Sequence, residues 1–194
     1  GAAPRQGRTH SGPLVWLGTG APADALQVTF GDWRGGVFPA GEAARLPERG
    51  HDIPAAVLAG ALAVAEGFQR LRGNQMAGER GVGLSLWDPS APWRSASGPA
   101  EWVAPSKLWV LGLGHLGQAF LWVLGLLPFA RPADVELTLQ DFDRLTAAND
   151  STSILTRLER AGRLKTREMA AWAEARGFKT RLVERRFSGD LFLD

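Results

Sequence analysis

Cysteine is absent from the 194 residues, which removes disulfides, thiolate nucleophiles and every cysteine-based metal site at once. Tyrosine is also missing and lysine nearly so, leaving little to titrate above neutrality. A formal net charge of only +2 therefore coexists with an isoelectric point near 9.6, and the high value is no argument for a nucleic-acid partner. The densest basic stretch, Arg176 to Arg186, is interrupted by Glu184 and by apolar residues, the pattern of a solvated strand or helix edge. Histidine is limited to His10, His51 and His115, far apart and without HExxH or HxH spacing, so no metal ligands are assigned. Residues 1–8 carry no apolar core with a cleavage signature, which makes cytoplasmic residence the expectation. Leu108 to Ala130 lacks formal charge and is long enough to cross a bilayer. Gly112, Gly114, Gly117, Gly125 and Pro128 break the run, and His115 and Gln118 lie inside it. A buried strand, a turn and a buried helix explain those positions, and no membrane partner is expected.

What is present suits a packed core: 45% of the residues are hydrophobic, enough for one large domain or two small ones. Pro13 to Gly18 and Leu26 to Phe30 read as strands, with a turn at Gly35 and Gly36 leading into a third at Val37 and Phe38. Asp52 can cap a helix with Pro54 in its first turn, running through Ala55 to Leu71 and closing at Gly73. Its alanine-rich middle predicts burial over most of its surface, with Val57, Leu58, Leu62, Val64 and Phe68 as the larger apolar groups. Leu84 to Trp87 reads as a further strand, and residues 88–105, rich in proline, serine and tryptophan, as a linker. The expected organisation is a smaller α+β part over residues 1–104, with its helix near 54–71, and a second domain over 105–194.

That second domain alternates. An apolar strand, Leu108 to Leu111, precedes a glycine turn from Gly112 to Gly117. A helix from Gln118 to Leu127 follows, then a strand from Val135 to Leu139, a helix from Gly162 to Arg176 and a strand near Arg181 to Phe187. This predicts an α/β class, a Rossmann-like, doubly wound and mostly parallel sheet. The tryptophans are scattered rather than periodic, as packing residues are.

The chemistry concentrates in the turn. Gly112-Leu-Gly114-His-Leu-Gly117 follows a strand and opens a helix, the context a dinucleotide fingerprint requires. Gly112 would make the tight turn, Gly114 would let a phosphate reach the backbone, and Gly117 would permit close packing of the helix. The helix start adds unpaired N–H groups and partial positive charge for an anion. The next strand ends in Gln140-Asp141-Phe142-Asp143, placing a carboxylate where a ribose hydroxyl is gripped in such sheets. A turn or cap role for Asp143 is the structural alternative.

These residues resemble the ThiF/MoeB/HesA superfamily, which includes the ubiquitin-activating enzymes, and specifically its bacterial members. The family shows a GxGxxG turn, a strand ending DxD, an asparagine in an SNLxRQ-like segment and a GxxK at the next helix. This chain reads GLGHLG, QDFD, AND and Gly162-Arg-Leu-Lys165 in that order. The resemblance implies that Asp141 binds the ATP ribose, Asn149 steadies the phosphates and Lys165 pairs with phosphate oxygens, so that Lys165 and Asn149 are the catalytic candidates. It further implies ATP with magnesium as cofactor, adenylation of the carboxyl terminus of a ubiquitin-like or sulfur-carrier protein, and a homodimer. Two features depart from the family. Thr152 stands where an arginine is usual, with Arg157 and Arg160 as possible substitutes, and the family's magnesium-binding aspartate and activating cysteine are expected beyond Asp194, making the domain incomplete. An NAD(P)-binding oxidoreductase using the same turn, and a non-catalytic scaffold that kept the fold, are the alternatives.

Overall fold

The computed structural model describes residues 12–42, 45–48, 53–96 and 98–188. The chain divides into two compact units, Gly1–Glu101 and Trp102–Asp194, each with its own sheet and core cluster.

In the first unit, strands β1 (Leu14–Leu17), β2 (Ala25–Gly31), β3 (Arg34–Pro39) and β4 (Val82–Ser85) form one sheet in that order. β1 and β2 are parallel and the other pairs antiparallel. The helix α1 (Ile53–Leu71) lies on this sheet. The cap expected at Asp52 lies outside the described residues. Gly35 and Gly36 do not form the turn expected of them. The chain reverses at Asp32, whose φ is 53°, and both glycines lie inside β3 because other groups need their space. A Cβ on Gly35 would come within 2.5 Å of the Ala55 carbonyl and 2.8 Å of the Ala59 amide nitrogen, so the helix backbone rests directly on the strand. Gly36 and Gly83 lie under the Trp93 ring in the same way, which carries the proline- and tryptophan-rich segment after β4 back onto the sheet.

The small residues also explain why α1 is not buried over most of its surface. Ala55, Ala59 and Ala63, four residues apart, take the inner face with Glu66 and Gly67. Val64, Phe68 and Leu71 are exposed. Close approach thus depends on methyl groups, with Leu58 and Leu62 half-buried beside them against the sheet.

The second unit contains β5 (Lys107–Leu111), α2 (His115–Leu124), β6 (Glu136–Gln140), the single turn α3 (Asn149–Thr152), α4 (Lys165–Glu174) and β7 (Lys179–Val183). The three strands are parallel, in the order β5-β6-β7, which is the order of one half of a doubly wound sheet. Leu121 and Leu124 of α2 join Leu137 and Leu139 of β6 and Met169, Ala170 and Ala173 of α4 in one buried cluster. Both helices therefore cover the same face of the sheet. On alternate residues the other face carries Trp109, packed on Phe187 at 5.7 Å between ring centroids and donating from Nε1 to Gln140 Oε1 at 3.0 Å. The uncharged run 108–130 is split among β5, the glycine turn and α2, and among the described residues no helix is long and apolar enough to cross a membrane.

Candidate functional site

The carboxyl end of β5 opens into the glycine turn. Gly112 has φ 82°, a left-handed conformation that glycine adopts without strain, and its N–H still donates to Gln140 O at 2.9 Å, extending the ladder one step beyond the strands. Gly117, in the first turn of α2, points inward, where a Cβ would meet the Gly112 carbonyl oxygen at 2.0 Å. Gly112 and Gly114 differ in that an added Cβ would meet nothing within 4 Å. One face of the turn is closed by the helix and the other is open, with the α2 N-terminus facing it.

Asp141 and Asp143 have separate tasks. Asp141 is buried at the end of β6. Its Oδ2 accepts the Leu113 N–H at 2.7 Å and its Oδ1 accepts the Asp143 N–H at 2.8 Å, so both oxygens are committed to backbone amides. The carboxylate locks the glycine turn to the strand end. Asp143 carries the accessible carboxylate, with its side chain 51% exposed. Its Oδ2 accepts from Lys165 Nζ at 2.9 Å, and its carbonyl accepts the Lys165 N–H at 3.1 Å. Lys165 is the first residue of α4 and its side chain is only 11% exposed. An ammonium there faces the positive end of the helix and has lost most of its water, so it requires an anion. Asp143 supplies one.

Lys165 is held in place by a short antiparallel contact. Leu145 N–H donates to Arg163 O and Gly162 N–H to Leu145 O, each at 2.8 Å, and Gly162 turns at φ 88°. Arg144 adds a bond from its guanidinium to Gly162 O at 2.8 Å. A groove of about 460 Å³ beside the start of α4 is lined by Arg144, Gly162, Arg163, Leu164, Arg167 and Glu168.

Asn149 begins α3, with its Oδ1 reaching back to accept the Thr146 N–H at 2.9 Å, a bond like that of a capping box, which shapes the preceding turn. Thr152 donates its hydroxyl to Ala148 O at 3.0 Å. His115 opens α2 and is exposed, while His10 and His51 lie outside the described residues. Among the described residues no group of three or more histidines and carboxylates is arranged to hold a metal.

Gln118 is the residue that the sequence reading passed over. It is fully buried. Its Nε2 donates to Leu113 O at 3.1 Å, and its Oε1 accepts both the Leu155 N–H at 3.1 Å and the Thr156 hydroxyl at 3.0 Å. The only sequence signal was an uncharged polar side chain in an otherwise apolar stretch, which says nothing about its partners nearly forty residues away.

Electrostatics tie α4 to the segment after β7. Arg167 donates to both oxygens of Glu184, at 2.8 and 3.1 Å, and Thr166 donates to Glu184 Oε1 at 3.1 Å. The Arg167 hydrogen bond holds the Glu184 carboxyl below its ordinary range, against desolvation and with help from Thr166. Arg167 is raised in return by the same bond.

Residues 1–86 match a family model described as the BilD N-terminal domain, and residues 104–193 match the BilD C-terminal domain. The chain is similar to the bacterial E1-like protein BilD of Collimonas sp. (strain OK412), with 43% identity over 166 residues, covering 84% of this chain and 36% of that protein. It thus spans little more than a third of the curated relative. Among solved structures, Escherichia coli MccB with ATP overlaps at 18% identity and a TM-score of 0.34, over 42% of this chain and 23% of that one. Escherichia coli tRNA N6-threonylcarbamoyladenosine dehydratase, TcdA, in complex with AMP, overlaps at 20% identity and a TM-score of 0.37, over 44% and 34%.

Proposed function

We propose that this chain is part of a BilD-type, E1-like bacterial protein, and that its second unit is an adenine-nucleotide pocket serving adenylation of a protein carboxyl terminus. The observation that carries the reading is the clamp at the end of β6. Asp141 binds the glycine turn and Asp143 binds Lys165, so the turn, the strand end and the start of α4 meet through two carboxylates two residues apart. The matches to both BilD domains and the identity to the Collimonas protein support it.

The residues fit the nucleotide. The open face at Gly112 and Gly114 leaves room for phosphate oxygens against the backbone, while Gly117 keeps α2 close behind. The half-exposed Asp143, rather than the fully engaged Asp141, is the carboxylate available to ribose hydroxyls. Lys165 would bridge Asp143 and a phosphate oxygen, exchanging part of one anionic partner for another without leaving its charge unpaired. Asn149 holds the turn behind α3 and would steady the phosphate side. ATP would supply the α-phosphorus that the carboxylate attacks, the new acyl–phosphate bond replacing the α–β bridge so that an acyl-adenylate forms and pyrophosphate leaves, and its phosphates would carry much of the magnesium coordination. The protein's share is placement and charge: a rigid turn, one ammonium and one carboxylate, with no side-chain nucleophile needed. A ubiquitin-like or sulfur-carrier protein is the substrate class on which the longer protein would act, and that longer protein would be a homodimer in the cytoplasm.

Calorimetric titration of the chain with ATP and with NAD tests this. ATP is expected to bind and to shift the NMR amide signals of Gly112, Gly114, Asp143 and Lys165. Tight binding of NAD with none of ATP would overturn the reading.

A further inference from the structure

We propose that Arg157 is the cation this chain presents to the phosphates of its nucleotide, and that Gln118 is the residue that positions it. The inference rests on the adenine-nucleotide reading above and goes beyond it by naming a cation other than Lys165.

Among the arginines from Arg144 to Arg167, all but one are already committed. Arg160 and Arg163 both pair with Glu168, at 3.6 and 2.9 Å. Arg167 is held by Glu184 and Arg144 by the Gly162 carbonyl. Arg157 is exposed and forms no ion pair among the described residues. A guanidinium keeps its charge at any working pH and offers a planar fork of donors to phosphate oxygens.

Its place in the chain is what distinguishes it from an ordinary surface arginine. Thr156, the residue before it, is buried and donates its hydroxyl to Gln118 Oε1, and the Leu155 N–H donates to the same oxygen. The other end of that amide donates to Leu113 O, inside the glycine turn. One buried side chain therefore fastens the base of Arg157 to the turn that would hold the phosphates. Gln118 uses its carbonyl twice and its amide once, so displacing it would strand several buried backbone and hydroxyl groups. The tether fixes the backbone leading into Arg157 and leaves its long side chain free to meet an anion. Thr152, by contrast, turns its hydroxyl back onto its own helical turn.

Equilibrium binding of adenosine and of ATP, measured on the 194-residue chain and its variants, tests this. Arg157→Ala should weaken ATP binding by about ten-fold or more, the effect of losing a charged hydrogen bond, while leaving adenosine binding unchanged. Arg157→Lys should recover part of the loss. Thr156→Val should weaken ATP selectively, Thr156→Ser should restore it, and the double variant Thr156→Val with Arg157→Ala should bind ATP no more weakly than Arg157→Ala alone, because both changes remove one interaction. Wild-type ATP affinity in Arg157→Ala would overturn the inference, as would equal losses for ATP and adenosine or losses that simply add in the double variant. A wild-type chain that binds neither compound would instead remove the nucleotide reading on which the inference stands.

Discussion

Single side chains in the glycine turn divide into those that shape it and those that leave it open, and the two kinds should respond differently to a methyl group. Gly117→Ala would place a Cβ 2.0 Å from the Gly112 carbonyl oxygen, and backbone must move to admit it. A loss of about 1–3 kcal/mol is expected, the usual range for overpacking, visible as a lower urea midpoint. Gly114→Ala meets no atom within 4 Å and has φ −75°, so its stability should change by no more than about 0.5 kcal/mol. The same methyl should reduce ATP binding, because it occupies the space proposed for phosphate. Asp141 and Asp143 show what spacing alone leaves open at this scale. The motif places both carboxylates at the strand end. Which one is spent on backbone amides depends on the loop geometry, and the structure gives that task to Asp141, the residue expected from resemblance to hold the ribose. Gln118 was illegible for the same reason, since two of its three partners come from a loop nearly forty residues away.

Among elements, the helix–sheet contact of the first unit depends on a missing side chain. Gly35→Ala would bring a Cβ to 2.5 Å from the Ala55 carbonyl, lifting α1 off β3 at a cost of about 1–3 kcal/mol. Urea unfolding followed at residues of the first unit should register it. The start of α4 offers a pH-dependent counterpart. Because Arg167 lowers the Glu184 carboxyl, the stability from this pair is complete above the ordinary glutamate range and disappears as pH falls through the lowered value of the folded protein. Both groups are at the surface, so salt should weaken the effect. A carboxyl-carbon NMR titration should place Glu184 below the ordinary glutamate midpoint, and the depression should vanish in Arg167→Ala. Element types were largely legible: β5, the turn, α2 and β6 follow from apolar runs punctuated by glycine. The inner face of α1 was not, because hydrophobicity ranks phenylalanine and valine above alanine, whereas close approach to Gly35 selects the smallest groups.

At the scale of the molecule, the division after Glu101 separates two cores: Leu26, Val28, Val37, Ala59 and Ala63 in one, and Val110, Leu121, Leu137, Leu139 and Met169 among those in the other. Each sheet closes on its own helix or helices, so the chain has two potential cooperative units. Residue-resolved NMR intensities in a urea series should therefore give two midpoints, one for each set. A single midpoint shared by all residues would show that the units unfold together. The alternation of strand and helix made the second unit's parallel order legible. The first unit's parallel β1–β2 pair was not, since nothing in two short strands of such composition states their direction.

The bond between Asp141 and the Leu113 amide also bears on timing. A turn that already has an internal acceptor does not wait for a visitor to acquire its shape, so less ordering entropy remains to be lost when an anion arrives. In deuterated water the Leu113 proton should outlast that of Gly114 before any ligand is added, and Asp141→Ala should erase that difference. Loss of the Leu113 proton at the same rate as that of Gly114 in the unaltered chain would mean that the turn is set only on arrival.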